Sequence, residues 1–523
     1  MTASPLPAGS ATTRRTGEVA ALPAWALGGL AIAAIALGLA ALVDDRAVFV
    51  GAALVVGLFG GALVFYKPHI GVFIIMSTML MSYPDALKGV SPFTINNMLG
   101  AILLTLLVFE TYRTHDYWFL REPEIRLLVI ISLWMITIAL VSDLFLPDKR
   151  LLPAVSRAKV TGPAFYGNND DTARWVFELV SRLVFVIFFL QWIRTPNQLR
   201  WALFLFAFCV ASVLPTLGPD MTRGEAEYRI TSKVVGWAVN LNRFAFMMNV
   251  GIALFIYLAN IVRPFFWKFV FLSCAAVSMP LVLLSASRSG FIGLGLIAVL
   301  MLRSGQIPRR WKIGSAMAGL AMAVLAFSFV LTDAHRERLL NINPFATTDV
   351  NAGPREEGSR STEQRVSTLE NAFIVIAKYP LTGVGLSKFR WVNALMNNSY
   401  KPPHNSYVWA AAEGGIPALV MYLMLFGFLF TRIQKLRPKF RNHPTLPYLA
   451  DWLHLYMVLF FFFSIFADVW IEVHLYFIVA FSIVLSRWAE EDELRGRGLP
   501  GVVAGTPGAQ RAASRALYRQ PES

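Results

Sequence analysis

His404 stands first among the side chains of this chain that could do chemistry. Pro402 and Pro403 restrict the backbone before it, and Asn405, Tyr407 and Glu413 follow within about two and a half helical turns. An imidazole has an ordinary pKa of ~6.5, so a histidine at a rigid turn can take the proton of an attacking hydroxyl. The alternative is an interfacial histidine that binds a headgroup or caps a helix. If the stretch is helical, Asn405 and Glu413 lie on roughly one face of it. Arg288 is the second candidate, flanked by Ser287, Ser289 and Gly290 at the point where one apolar run ends and another begins at Phe291. A guanidinium grips phosphate in bidentate fashion, and the start of the next helix favours negative charge at the same spot. An arginine snorkelling from a helix end is the plainer account. Arg223, Arg229, Arg360 and Arg365 add positive charge in the same outer segments, while Arg243 and Arg182 stand at or inside apolar runs, where they need a cavity or a partner. Glu178, four residues before Arg182, supplies an i,i+4 partner.

Several chemistries find no residues to carry them. A Walker phosphate loop, an HExxH pair, a Cys/His ligand cluster and an Asp-x-Asp pair are all missing from the sequence, so the reaction expected is metal-free and cofactor-free. Of the seven histidines, His335, His404 and His474 are expected to face outward. Cys209 and Cys274 both sit in apolar runs, which argues against a disulfide framework.

The elements that must position these residues are membrane helices. The 523 residues are 56% hydrophobic and only 15% charged, too little polar surface for a soluble globule of this size. The net charge of +15 forms no basic stripe interleaved with aromatics, and no nucleic-acid partner is expected. Fourteen apolar runs recur, near 24–43, 47–65, 70–83, 95–112, 127–146, 175–192, 200–217, 241–261, 267–284, 289–302, 313–331, 416–431, 449–467 and 473–486. Some are short enough to be re-entrant, so the expected fold is an all-α polytopic membrane protein with about 12–14 transmembrane helices. The loops at 262–268, 303–312 and 432–441 carry eleven Lys and Arg and no acid, and they share a side with the Arg14/Arg15 tail when fourteen spans are counted. Both termini are therefore expected in the cytoplasm. The domains expected are a disordered tail over 1–23, transmembrane helices over 24–332, a large outer loop with short helices over 333–415, further transmembrane helices over 416–486 and a second tail over 487–523.

The outer loop has helix grammar of its own. Ser361 and Gln364 fit a capping box, and Val366, Leu369, Phe373 and Ile376 recur at helical spacing until Pro380, predicting a helix whose apolar face lies on the membrane or on the spans beneath. Gly383 and Gly385 then allow a tight turn.

At these residues, over about 225–430, the chain resembles the superfamily of O-antigen ligases and O-antigen polymerases, bacterial membrane glycosyltransferases of the GT-C type. The resemblance rests on His404-Asn405 with Gly415 and Ala418 behind it, Arg365 with Leu369, the turn from Ser287 through Arg288 and Ser289 to Gly290, and the run from Pro380 through Leu381 and Gly383 to Gly385. Asn240, Leu241 and Asn242 before a span complete it. Ala418 and Leu241 depart from the family pattern. The resemblance implies an undecaprenyl-diphosphate-linked glycan as donor and lipid A-core, a growing glycan or a protein as acceptor. It further implies an inverting transfer at the periplasmic face of the bacterial inner membrane. His404 would activate the acceptor hydroxyl, Arg288 and Arg365 would bind the diphosphate, and Asn405, Glu413 and Asn242 would orient or bind substrate. Ligase is preferred, with polymerase as the alternative within the superfamily and a lipid-linked glycan transporter as the alternative outside it.

Overall fold

The computed structural model describes residues 61–81, 95–115, 117–142, 171–212, 214, 241–285, 287–304, 324, 328, 355–397, 400–440, 443 and 445–496. Met1–Ile70 and Gly71–Ser523 form two compact units. Of the first, residues 61–70 are described and are helical apart from Lys67. The expected runs at 24–43 and, as far as residue 60, at 47–65, the run at 313–331 apart from positions 324 and 328, and Arg223, Arg229 and His335 lie outside the described residues.

Besides the helical residues 61–66, thirteen α-helices and no strand occur among the described residues. They are α1 (Pro68–Leu80), α2 (Ile95–Thr114), α3 (Pro123–Val141), α4 (Asp171–Trp192), α5 (Pro196–Ala211), α6 (Leu241–Ile261), α7 (Phe265–Leu284), α8 (Arg288–Arg303), α9 (Arg355–Lys378), α10 (Phe389–Asn397), α11 (Ser406–Lys439), α12 (Leu446–Ser464) and α13 (Val473–Gly496). Six of them, α3, α6, α7, α11, α12 and α13, are long and apolar enough to cross a membrane. The protein is an all-α polytopic membrane protein.

Local chemistry sets the helix starts. Pro123, Pro196 and Pro447 stand in first turns, where their missing N–H costs nothing. Thr195 and Gln198 close a reciprocal capping box on α5, and the Ser287 hydroxyl accepts from the Gly290 N–H at the start of α8. The helix α11 runs through a kink at Gly415, whose φ of 73° suits glycine, with Pro417 just beyond it. A Cβ at Gly415 would come within 2.4 Å of the Leu381 carbonyl.

The most enclosed helices are α6, α12 and α13, and their aromatic side chains interlock with one another and with α5: Phe246 meets Tyr456, Phe460 and Phe463, and Phe206 of α5 meets Tyr456 and Phe477. Lipid tails are as apolar as these side chains, so the gain here is close packing rather than escape from water. By contrast α7 and α11 leave Phe265, Phe269, Val420, Leu423 and Met424 exposed, as lipid-facing helices do. At one end of the bundle Asp451 binds Arg437 (2.8 Å) and Ser304, and Tyr257, near the end of α6, lies beside the same groups.

Three local expectations change. Ser361 and Gln364 do not cap a helix, because α9 begins earlier, at Arg355, and runs through them. The stripe containing Val366 and Phe373 is exposed. The face that packs is that of Thr368, Ala372 and Val375, drawn inward because Asn393 of α10 hydrogen-bonds Asn371 (2.9 Å) and Thr368 (3.5 Å). His474 does not face outward: it is fully buried in α13 and hydrogen-bonded to Tyr456.

Candidate functional site

At the end of the bundle opposite Asp451, α11 begins and α12 passes through a short connection, residues 465–472, into α13. Asn405 caps α11, its Oδ1 accepting from the N–H groups of Tyr407 and Val408, both at 3.0 Å. This fixes the helix start, and the chain arriving from Pro402 and Pro403 must turn sharply at His404, which takes a φ of +54°. A left-handed conformation at a residue with a Cβ costs on the order of 1 kcal/mol and is held only where the surroundings demand it.

Those surroundings are the 465–472 connection. The Ser406 hydroxyl donates to the Ala467 carbonyl (2.6 Å) and accepts from the Val469 N–H (2.8 Å), pinning the connection to the start of α11 on both sides of Asp468. Asp468 Oδ2 then lies 3.0 Å from His404 Nδ1. The carboxylate side chain is 8% exposed and the imidazole 22%, so the acid is covered while the base keeps an open edge. Burial pushes the Asp468 carboxyl up, but His404 beside it, with Arg243 and Arg390 farther off, more than offsets this and holds it below the ordinary carboxylate value.

Arg243, from the first turn of α6, clamps the connection from below. Its Nη2 donates to the Asp468 carbonyl (2.7 Å) and its Nη1 pairs with Glu472 (2.8 Å). Arg182 of α4 pairs with Glu178 (2.8 Å), as its i,i+4 spacing predicts, and also donates to the Ile471 carbonyl, with Glu472 at 3.9 Å. The partners that these costly arginines needed are thus the connection itself and its acid.

Asn242 donates to the Phe466 carbonyl (3.3 Å) and accepts from Ser287 Oγ (2.8 Å). The next residue, Arg288, opens α8 and is half-buried. The two helices can approach here because Gly290 faces Ala245: a Cβ on it would meet the Ala245 methyl at 2.5 Å. His404, Asn405 and Asn242 are therefore gathered around 465–472, and Ser287, the residue before Arg288, is joined to them through Asn242.

Glu413 and Arg365 are placed differently. Glu413, fully buried two turns into α11, is backed by the turn after α9: the N–H of Val384 donates to Ala412 (2.9 Å), that of Gly385 to the Glu413 carbonyl (2.8 Å) and that of Ile416 to Pro380 (2.7 Å). Its carboxylate lies among Trp409, Arg390 and the backbone of Ser387 and Phe389, a layer behind the histidine. Arg365 sits on the exposed side of α9. Asp468, Glu472 and Arg390 were not legible as site residues, although Asp468 and Glu472, two acids within five residues between apolar runs, were a signal that an outer connection carries charge.

Residues 274–423 match the family model described as O-antigen ligase. Over this stretch the chain is similar to the O-antigen ligase family. No curated protein matches the chain. The O-antigen ligase match starts within α7 and stops within α11, so it takes in Arg288, Arg365, His404, Asn405 and Glu413, while Asn242 and Arg243 of α6 and Asp468 of the 465–472 connection lie on either side of it.

Proposed function

We propose that this protein is an inverting glycosyltransferase of the O-antigen ligase type, moving a glycan from undecaprenyl diphosphate to an acceptor hydroxyl at the periplasmic face of the inner membrane. The observation that carries the reading is the His404–Asp468 pair: a covered carboxylate 3.0 Å from Nδ1 of a partly open imidazole, inside the same chain that matches the ligase family. With Nδ1–H donating to Asp468, Nε2 carries the lone pair. It takes the proton of the acceptor hydroxyl as that oxygen attacks the anomeric carbon of the donor, and the bond from that carbon to the phosphate oxygen breaks. The diphosphate departs with the electron pair, and in this reading the Arg288 guanidinium receives its charge. Asp468 stabilises the imidazolium that forms, as the acid of a triad does. Asn405 and Asn242 hold the backbone around the pair. Asp468 and Glu472 are paired with His404 and Arg243, which fixes both acids of the connection.

The test is transfer by purified protein in EDTA, with a lipid-diphosphate glycan as donor and either lipid A-core or a second lipid-linked repeat unit as acceptor. Transfer to lipid A-core means ligase, and elongation of the repeat unit means polymerase. Donor binding without transfer to either acceptor overturns the transferase reading in favour of a transporter.

A further inference from the structure

Helix α9 carries two apolar faces, and the protein covers one of them. Ala372 and Val375 are buried with Thr368, while Phe373 (58% exposed), Ile374 (54%) and, in the turn that follows, Leu381 (68%) are left open. Hydrogen bonds fix the level of that turn on α11. The Ile416 N–H donates to the Pro380 carbonyl (2.7 Å), and the N–H groups of Val384 and Gly385 donate to the carbonyls of Ala412 (2.9 Å) and Glu413 (2.8 Å). Two helices measure how far this level lies from the other side of the bundle. From Ile416 to Arg432, sixteen positions on, α11 has no charged side chain, and it rises about 24 Å over that stretch. Arg432 pairs with Glu124 (2.7 Å) in the first turn of α3. Eighteen positions later, about 27 Å along that helix, Ser142 closes α3 and accepts from Nζ of Lys388, three residues after Gly385 (2.6 Å). A hydrocarbon core is ~30 Å thick, so both rulers, read from the charged pair, set the 380–385 turn at its far edge, and tilting either helix only moves the turn deeper.

The open side of α9 changes character toward the same level. Gln364, Arg365 and Glu370 occupy it near the start, Phe373 and Ile374 farther on, and Lys378 lies 5.5 Å from the centre of the Tyr379 ring where the helix gives way to the turn. Lysine and tyrosine both suit the boundary between acyl chains and headgroups, each with an apolar body and a polar tip. We propose that the end of α9 and the turn after it form a wedge in the bilayer leaflet on the His404 side, with Phe373, Ile374 and Leu381 seated against phospholipid acyl chains and the polar half of the helix rising into water. From Ile416 to its start at Ser406, α11 continues for ten more residues, so the wedge is bonded to α11 below His404 and fixes the height of that histidine above the lipid. For a lipid-linked substrate this sets where the head group meets the imidazole; that purpose rests on the transferase reading, and the lipid contact does not.

The experiment places a nitroxide at Phe373→Cys, Ile374→Cys and Leu381→Cys in the full chain carrying Cys209→Ala and Cys274→Ala, reconstituted into phosphatidylethanolamine and phosphatidylglycerol vesicles. Gln364→Cys serves as the water reference and Val420→Cys, on the exposed face of α11, as the lipid reference. The ratio of collision with oxygen, which concentrates in acyl chains, to collision with a water-soluble nickel chelate should be severalfold higher at the three wedge positions than at Gln364→Cys and close to that at Val420→Cys. Ratios equal to the water reference overturn the proposal. So do labels shielded from both reagents, which would mean a protein partner such as a second copy, and labels that turn oxygen-accessible only when a lipid-diphosphate glycan is added, which would mean a substrate tail. Should a cysteine variant fail to insert, a diazirine phospholipid applied to the unmodified protein must leave adducts on residues 373–381 as it does on 420–424; adducts on the second segment alone overturn the wedge. Glycan transfer is not read in either measurement, so their failure leaves the transferase reading untouched.

Discussion

The two ends of the helix bundle are built from the same residue types and reach opposite outcomes. At the end where α11 finishes, Arg432 is held by Glu124 (2.7 Å) and Glu122 (2.5 Å), Arg437 by Asp451 (2.8 Å), and Arg487 donates to the Leu190 carbonyl (3.0 Å) while lying 4.0 Å over Trp118. At the end where α11 starts, Arg243 and Glu472 are paired in the same way, but around them the matching stops. His404 is bent into a left-handed conformation, Asp468 keeps an unpartnered oxygen, and Arg390 rests on indoles instead of a carboxylate. Buried polar atoms with no hydrogen-bond partner occur at both ends, at Trp452 in the first and at Arg390, Glu413 and Asp468 in the second, and the proposed chemistry uses the second. The first end is a fastener; the second is an instrument mounted on one.

Substitutions at the two ends should therefore separate activity from stability. The largest effect is expected from His404→Ala, which should lower glycan transfer by about a thousandfold in protein that still inserts and binds donor. Normal transfer from this variant would remove the chemical distinction between the ends. Asp468→Asn should cost on the order of a hundredfold in kcat, because an amide no longer fixes the tautomer of His404, and donor binding should stay near the unmodified level. A loss confined to KM would mean that Asp468 only shapes the pocket.

The fastening end should answer in the other currency. Arg432→Met leaves Glu124, 1% exposed, without its partner, and breaking such a buried pair costs about 3 kcal/mol. Thermal unfolding in detergent should show the loss, while transfer per folded molecule stays constant. A drop in specific activity equal to that of Asp468→Asn would show that the ends are coupled rather than separate. Between them, Gly415→Ala forces a Cβ against the Leu381 carbonyl and a positive φ on alanine. It should destabilise by about 1–3 kcal/mol and blunt transfer only through lost folded protein.

The sequence was a good guide where a signal is local and a poor one where it is made by folding. The apolar run at 241–261 became α6 with the same limits, because length and hydropathy are written in consecutive residues. His404 stood out because Pro402, Pro403 and Asn405 surround it in the chain, and the structure uses them as a turn and a cap. Asp468 could not be paired with it by the same means: sixty-four positions separate them, and the Ser406 hydroxyl that joins their segments looks like any helix-start serine until Ala467 and Val469 arrive. The capping box at Ser361 misled for the converse reason, a correct local signal outweighed by helix that continues upstream.

The smallest expected effect concerns acid, and it tests whether Asp468 belongs to the stability of its end as well as to its chemistry. Its carboxyl is held below the ordinary value in the folded protein, chiefly by His404 against the opposing effect of burial. A carboxyl depressed in this way favours the folded state above its unfolded pKa of about 3.9, and that contribution disappears as pH falls through the lower, folded value. Unfolding temperatures followed from about pH 6 down to about pH 3 should fall more steeply for the unmodified protein than for Asp468→Asn, with the gap opening only below about pH 4. Equal slopes would mean that the bond to His404 is not formed in the resting protein, and the contrast between a paired end and a poised one would then rest on the arginines alone.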